Sequence, residues 1–191
     1  MAGKQAKTLS PDAFDSLLAY ASSGRHRLRN VVIVLLSAKA GLRAGEIANL
    51  TWPMVLDADG EVGRSIALHD KAAKKGSGRS IPIHSELAQA LNVWARQSGC
   101  DGHVIKSERG GPMTALSIVV WFNRAFARTG LAGCSSHSGR RTFITRAARL
   151  VHKAGGSLRD VQLLAGHASI QTTQRYIDGD SDAQRKLVGL I

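Results

Sequence analysis

Cysteine is scarce in this chain of 191 residues, which contains only Cys100 and Cys134. Two cysteines exclude a scaffold held by several disulfides, and they also exclude a zinc ribbon built from CxxC pairs. Long hydrophobic runs are missing too. The longest run, residues 31–36, is far shorter than the roughly 18–20 apolar residues that span a bilayer. No apolar stretch follows the basic N-terminus, so we expect no secretory signal, no membrane partner and a reduced, cytoplasmic location.

Acidic residues are also scarce. The chain has 14 of them against 26 lysines and arginines, which gives a net charge of +12. The imbalance is concentrated in two acid-free segments. Residues 109–159 carry nine basic side chains, and residues 71–85 carry four. A solvated basic surface would explain one such segment, but two of them favour a polyanionic partner, and nucleic acid in particular.

Hydrophobic residues make up 43% of the chain, which is enough for a folded core and excludes general disorder. The length is that of one domain. Capping residues and apolar periodicity predict mainly helices, with a buried central helix over 31–40 after a basic loop at 24–29. The other helices are predicted over 10–22, 43–50, 85–97 (capped by Ser85), 114–128, 137–151, 157–164 and from 169 through Tyr176. Two short strands, 64–69 and 79–83, complete an α+β, mainly α, fold with one small antiparallel sheet.

Polar side chains suited to phosphate chemistry occur first in two arginine-containing motifs. In AGLRAGE, Arg43 precedes Glu46 by three residues, so the carboxylate can orient the guanidinium on the same helix face. In HSGRR, His137 and Arg140 would place a proton-transfer group beside an anion clamp. Taken alone, a pair such as Arg43 and Glu46 is more often a surface salt bridge. A pair such as His137 and Arg140 is more often a capping histidine beside a solvated arginine.

Two further segments offer a lysine and a phenol. KKGSGRSIPIH places lysines on a Gly/Ser hairpin, where one could act as a general acid, although a solvated hairpin tip is commoner. In LAGHASIQTTQRY, Tyr176 is one of two tyrosines and lies in a polar stretch, so we expect an accessible hydroxyl. A phenol that attacks phosphorus needs nearby oxygens neutralised, which arginines and a histidine can do without metal.

These motifs, in this order and at these spacings, resemble the catalytic domain of the phage integrase (tyrosine recombinase) family. The ordered set is AGLRAGE, a lysine eight positions before Pro82, HSGR, and LAGH with a tyrosine nine residues later. Each motif is weak alone, but together they are specific, and they cover roughly residues 10–180. The resemblance implies a helical catalytic domain over 11–180, between an N-terminal basic tail (1–10) and a C-terminal tail (181–191).

The resemblance also implies a DNA strand-transfer reaction that needs no metal, other cofactor or ATP. Tyr176 would attack a phosphodiester and form a 3′-phosphotyrosine, while Arg43 and Arg140 hold the non-bridging oxygens. Lys74 would protonate the leaving 5′-oxygen, because its distance to Pro82 matches the family pattern; the neighbouring Lys75 is the alternative.

The remaining site residues are assigned by the same resemblance. His137 would assist proton transfer at the tyrosine, His167 would hydrogen-bond the phosphate, and Glu46 would support the first arginine and a histidine. A zinc site made of Cys134 and the two histidines matches no familiar ligand spacing and is not expected. Contacts to DNA are expected from Lys75, Arg79 and Arg141, the last of which stands where the family usually has histidine.

The expected partner is double-stranded DNA, bound by a homo-oligomer that is a tetramer in the family. Most members have a separate N-terminal DNA-binding domain, so we expect either a short relative, a piece of a longer protein, or help from an accessory DNA-binding protein. The C-terminal tail has two open alternatives, docking on a neighbouring protomer or packing on its own domain. Its apolar positions are Ala183, Leu187, Val188, Leu190 and Ile191.

Three functions remain open at this point. The first is a site-specific recombinase or integrase, of bacterial or phage origin and associated with the nucleoid. The second is a DNA-binding protein of the same fold with little catalysis, such as a regulator or truncated remnant. The third shares the phosphotyrosine chemistry but resembles a type IB topoisomerase. The presence of Tyr176 favours the first over the second.

Overall fold

The computed structural model describes residues 6–69, 72, 78–176, 188, 189 and 191. Within these parts of the chain, the strands β1 Ser65–Leu68 and β2 Arg79–Pro82 pair in antiparallel register. The predicted α+β, mainly helical class is confirmed. The helices are α1 Pro11–Ser22, α2 Arg27–Lys39, α3 Ala44–Asn49, α4 Ser85–Ser98, α5 Ala115–Arg128, α6 Ser138–Leu150, α7 Leu158–Ala165 and α8 Ile170–Gln174.

Helix α2 is the central helix and packs against α1, α4 and α6. Residues 32–36 are at most 1% exposed, as the apolar run predicted. The helix begins at Arg27, however, so the predicted basic loop over 24–29 extends too far. Arg29 is accommodated in the first turn because its guanidinium reaches the carbonyl of Lys106 at 3.2 Å.

Helix starts follow the capping residues of the sequence. Ser10 and Thr114 cap α1 and α5 as predicted, because each side chain accepts a hydrogen bond from the first turn. Ser157 and Asp160 form a capping box at the start of α7, where the sequence predicts a helix from residue 157. Helix α4 differs by one residue: His84, rather than Ser85, is the cap, since its Nδ1 accepts a backbone N–H at 3.2 Å.

The N-terminal segment 6–9 is packed against the domain rather than extended as a tail. Leu9 is 3% exposed, and its N–H donates to Oγ1 of Thr142 in α6 at 2.7 Å. The N–H of Lys7 donates to the carbonyl of Gly133 at 3.3 Å. An apolar side chain thus anchors residues 6–9, part of the predicted basic tail, to the domain ahead of α1.

The interior contains two hydrophobic clusters of unequal size. The main core gathers apolar side chains of α1–α5 and the sheet, and includes the fully buried Trp52. The small cluster lies between α6, the 3₁₀ turn after it and α7, with Tyr176 packed against it. Its buried members are Ile144, Ala148, Val151, Val161 and Ala165.

Helix α6 joins the two clusters because it lies directly against α2. A Cβ added at Gly139 would collide with the side chain of Ser37, so glycine is required for this close approach.

Across the ranges that the structure describes, no helix is long and apolar enough to cross a membrane. The predicted C-terminal tail falls outside those ranges except at residues 188, 189 and 191, so both alternatives for it stay predictions.

Candidate active site

Six of the sequence-predicted site residues line one open cleft of about 480 Å³. It lies between the start of α3, α6 and the segment from α7 to Tyr176. Among the described residues that line it there are four arginines and no carboxylate, so the cleft suits an anion. The lining residues are Ala6, Arg43, Ser135, His137, Arg140, Arg141, His167, Thr172, Arg175 and Tyr176.

Arg43 stands at the N-cap position of α3, at the edge of the main core. Its backbone N–H donates to Oε2 of Glu46 at 2.8 Å, and its Nη1 donates to Oε1 at 2.8 Å. The side chain remains 27% exposed. The contact predicted from their three-residue spacing is present, and it leaves part of the guanidinium facing the cleft.

Arg140 projects from the first turn of α6 into the interior and is 4% exposed. Its Nη1 donates to the carbonyl of Gly41 at 2.5 Å, and its Nη2 donates to the carbonyl of Ala165 at 2.6 Å. Burial, together with repulsion from Arg43, lowers the pKa of Arg140 to about 10. The guanidinium therefore remains charged at neutral pH.

Gly41 has a conformation that only glycine adopts easily, with φ at +65°. A Cβ there would collide with the ring of Phe143. The turn after α2 consequently presents its carbonyl to Arg140 without obstruction. The glycine in AGLRAGE thus serves the second arginine of the site as well as the turn before the first.

Glu46 is 2% exposed and is the carboxylate around which the arginines gather. Its oxygens lie 2.8 Å from Arg43, 3.0 Å from Arg79 and 3.9 Å from Arg140. Burial alone would raise the pKa of Glu46. The hydrogen bond and charge of Arg79, with smaller contributions from the other two arginines, outweigh burial and hold that pKa below its usual value.

Arg79, from which a contact to DNA is expected, has a buried side chain in the structure. Its side chain is 6% exposed and forms a two-pronged ion pair with Glu46, at 3.0 and 3.1 Å. Its Nε donates to the carbonyl of Leu164 at 2.8 Å. The alternation of side chains between the two faces of β2 could have predicted this burial. Arg79 lies on the same side of the strand as the buried Ile81.

His167 follows the left-handed Gly166 that ends α7, and it is 9% exposed. Its Nδ1 lies 2.9 Å from the hydroxyl of Thr173, a partner that no motif indicated. Burial, and after it repulsion from Arg140 and Arg43, lowers the pKa of His167 to about 4. The imidazole is therefore neutral at pH 7, so it can donate a hydrogen bond without adding charge.

Tyr176 lies just beyond α8, which ends at Gln174, so the predicted helix through the tyrosine is too long. Its N–H donates to the carbonyl of Thr173 at 3.0 Å. The ring stacks on His167 with centroids 5.5 Å apart. The guanidinium carbon of Arg141 lies 5.6 Å from the ring centroid, which is a cation–π contact.

His137 is exposed at the start of α6 and lines the same cleft as Arg140. It stands at the N-cap position rather than inside the helix, and its N–H donates to Oγ of Ser135 at 3.3 Å. Cys134, His137 and His167 do not gather as metal ligands, and no other metal-binding group is found among the described residues. Lys74 and Lys75 lie outside the described residues, so their roles stay predictions.

Three comparisons with known proteins bear on this cleft. A family model described as the phage integrase family matches residues 7–182. Tyrosine recombinase XerC of Xanthomonas campestris pv. campestris (strain B100) is 30% identical over 152 residues, which are 78% of this chain and 44% of the relative. The crystal structure of XerA recombinase superimposes with a TM-score of 0.76 and 25% identity, over 96% of this chain and 64% of that one.

A more distant structure has the same fold. The crystal structure of a lambda integrase dimer bound to a COC′ core site matches with a TM-score of 0.71 and 21% identity, over 90% of this chain and 48% of that chain. The chain spans about half the length of the curated relatives it matches, 44% in the case of the Xanthomonas protein.

Proposed function

Because this chain belongs to the phage integrase family, we propose that it is a tyrosine-type site-specific recombinase that cleaves and rejoins duplex DNA. The observation that carries the proposal is the convergence of two guanidiniums, two imidazoles and one phenol on a single cleft. These groups belong to Arg43, Arg140, His137, His167 and Tyr176.

In the proposed cleavage step, Oη of Tyr176 bonds to the phosphorus while the bond from phosphorus to the 5′-oxygen breaks. His137 takes the phenolic proton, and Lys74 gives a proton to the leaving oxygen. The products are a 3′-phosphotyrosine and a free 5′-hydroxyl. Because the phosphate ester is conserved, the 5′-hydroxyl of another strand can reverse the step without ATP.

The cleft supports this step by supplying positive charge where the transition state develops negative charge. Arg43 and Arg140 would each hold a non-bridging phosphate oxygen, and their own hydrogen bonds fix both guanidiniums beforehand. The hydroxyl of Thr173 would donate to Nδ1 of His167, which places the ring proton on Nε2 for a hydrogen bond to the phosphate. A neutral imidazole avoids further repulsion beside the arginines.

Double-stranded DNA is the proposed partner, and several copies of the chain would act on it together. The lambda integrase dimer on its core site supports this arrangement by similarity of fold. An accessory DNA-binding protein also belongs to the proposal, as a partner of the chain. We also propose that the protein works in the bacterial cytoplasm, on nucleoid DNA.

Covalent capture on DNA tests the proposed function. The purified protein would be mixed with nicked duplexes from its own genomic neighbourhood and denatured, and the attached DNA would be sequenced. Wild type should form adducts and Tyr176→Phe none, while Tyr20→Phe, which alters the other tyrosine on α1, should match wild type. Adducts in Tyr176→Phe would refute the nucleophile. No adducts from wild type, despite salt-sensitive DNA binding, would favour the non-catalytic DNA-binding protein.

A further inference from the structure

Arg79 is the residue through which strand β2 contacts the candidate active site. Its two terminal nitrogens donate to the two oxygens of Glu46, at 3.0 and 3.1 Å. Its Nε donates to the carbonyl of Leu164, at 2.8 Å. One guanidinium therefore connects the sheet, helix α3 and the C-terminal end of helix α7, and its planar fork is suited to such simultaneous contacts.

Arg140 makes the complementary contacts from α6. It binds the carbonyl of Ala165, next to the carbonyl that Arg79 binds, and it lies 3.9 Å from Glu46. Two consecutive carbonyls at the end of α7 are thus each held by a guanidinium. A helix C-terminus favours positive charge because its last carbonyls lack helical partners. Both contacts fix the backbone immediately ahead of His167.

Gly166 gives an independent sign that the backbone lies directly on Arg79. Its φ is +60°, which L side chains rarely adopt. A Cβ added there would lie 2.8 Å from Nη1 of Arg79, closer than real Cβ contacts allow. Glycine therefore ends α7, admits the guanidinium and turns the chain toward His167.

We propose that Arg79 is a positioning residue that holds the Glu46 carboxylate and the end of α7 in place, and does not contact DNA. Through these two groups it aligns the side chains that would bind phosphate. They are Arg43, Arg140 and His167. The catalytic consequence rests on the proposed function, whereas the structural part can be tested in the protein without DNA.

The first experiment measures the titration of Glu46 by carbon-detected NMR in the full chain. Arg79→Gln removes the largest influence that lowers the pKa of Glu46, so that pKa should rise above its value in the wild-type protein. Arg96→Gln, an exposed change on α4 outside the cleft, should leave it unchanged. An unchanged Glu46 titration in a folded Arg79→Gln would overturn the proposal.

The second experiment separates positioning from DNA contact. A positioning residue predicts that Arg79→Gln slows adduct formation about 10-fold to 100-fold, while the Kd for duplex DNA and its salt dependence stay as in wild type. A phosphate contact predicts weaker binding and a salt slope reduced by about one. The latter result would overturn the proposal.

Arg79→Lys sharpens the distinction and covers the case in which Arg79→Gln does not fold. Lysine keeps the charge but lacks the fork that spans Glu46 and Leu164 at once. We therefore expect adduct formation to remain at least about five-fold slower than wild type. Recovery to within two-fold would show that charge alone suffices, and would refute the positioning role.

The two proposals fail in different ways. If wild type forms no adduct on any duplex, the proposed recombinase function fails, and the Glu46 titration still decides whether Arg79 holds that carboxylate. If wild type forms adducts and Arg79→Gln forms them at the wild-type rate, the recombinase stands and the role of Arg79 is refuted.

Discussion

The main core and the small cluster differ in size and in what each carries. The main core extends over five helices and the sheet, and Arg43 and Glu46 lie on α3 at its edge. The small cluster has five buried apolar residues, and the segment with His167 and Tyr176 lies on it. The phosphate-binding side of the site, with Arg43 and Glu46, thus rests on a large apolar core. The nucleophile side, with His167 and Tyr176, rests on a small apolar cluster.

Polar contacts compensate for this difference. Arg140 binds one carbonyl beside the main core, at Gly41, and one at the small cluster, at Ala165. Arg79 joins Glu46 to Leu164 in the same way. The position of Tyr176 should therefore depend on charge and hydrogen bonding more than the position of Arg43 does. Each of the following changes tests that difference.

The largest effect is expected from Arg140→Ala, because Arg140 binds a carbonyl beside the main core and another at the small cluster. Adduct formation should fall about 100-fold to 1000-fold, as when one oxyanion donor is lost. The free energy of unfolding should fall by about 2–4 kcal/mol, because two buried carbonyls lose their donor. Arg43→Ala should slow adduct formation similarly but cost about 1 kcal/mol or less, since that side chain is 27% exposed. Equal stability losses, measured by urea unfolding, would contradict the comparison.

Cavities made in the two clusters should raise hydrogen exchange over different parts of the protein. Leu36→Ala in the main core should cost about 2–5 kcal/mol and raise hydrogen exchange throughout the protein. Val161→Ala in the small cluster should cost about 2 kcal/mol or less and raise exchange mainly in α7 and α8. If Val161→Ala loosened α2 as much as α7, the clusters would form one cooperative unit.

Acid should loosen the nucleophile side through His167. The folded protein binds the proton of this ring less readily than the unfolded chain, because burial and the arginines lower its pKa to about 4 from 6.5. Stability should therefore be complete above about pH 6.5 and fall toward pH 4, with a slope of at most about 1.4 kcal/mol per pH unit. His167→Gln should flatten this slope when the free energy of unfolding is measured across this pH range, whereas Arg96→Gln, an exposed change on α4, should leave it.

The smallest effect is expected from the helix caps. Ser157→Ala at α7 and Ser10→Ala at α1 should each cost about 1 kcal/mol in thermal unfolding. Only the first lies on the nucleophile side, so only Ser157→Ala should also slow adduct formation, by up to about five-fold. A similar slowing in Ser10→Ala would show that the effect reflects overall stability.

Local chemistry explains why much of this fold was predictable. The burial of α2 follows from its unbroken apolar run, and Ser10, Thr114 and Ser157 cap the helices that they precede in the sequence. The five residues now found at one cleft were predicted by an ordered set of motifs, which no single motif could have done. Their roles in catalysis remain proposals until adducts are measured.

Contacts between distant segments account for most of what the sequence missed. Arg79 and Glu46 are 33 residues apart, and a basic stretch around an arginine predicts solvent exposure unless the facing carboxylate is known. The same holds for the carbonyls bound by Arg140, because backbone groups have no sequence pattern of their own. The contact between Thr173 and His167 spans only six residues, but no motif indicated it. Tyr176 lies beyond the end of α8, a boundary that polar residues specify weakly.

The packed N-terminal segment has a practical consequence for handling the protein. Ala6 lines the cleft, and hydrogen bonds from Lys7 and Leu9 hold the chain there. A group attached at residue 6 itself would therefore lie at the cleft. Under the proposed function, a bulky group in that place would compete with DNA, and a small fluorophore in the same place would report when DNA arrives.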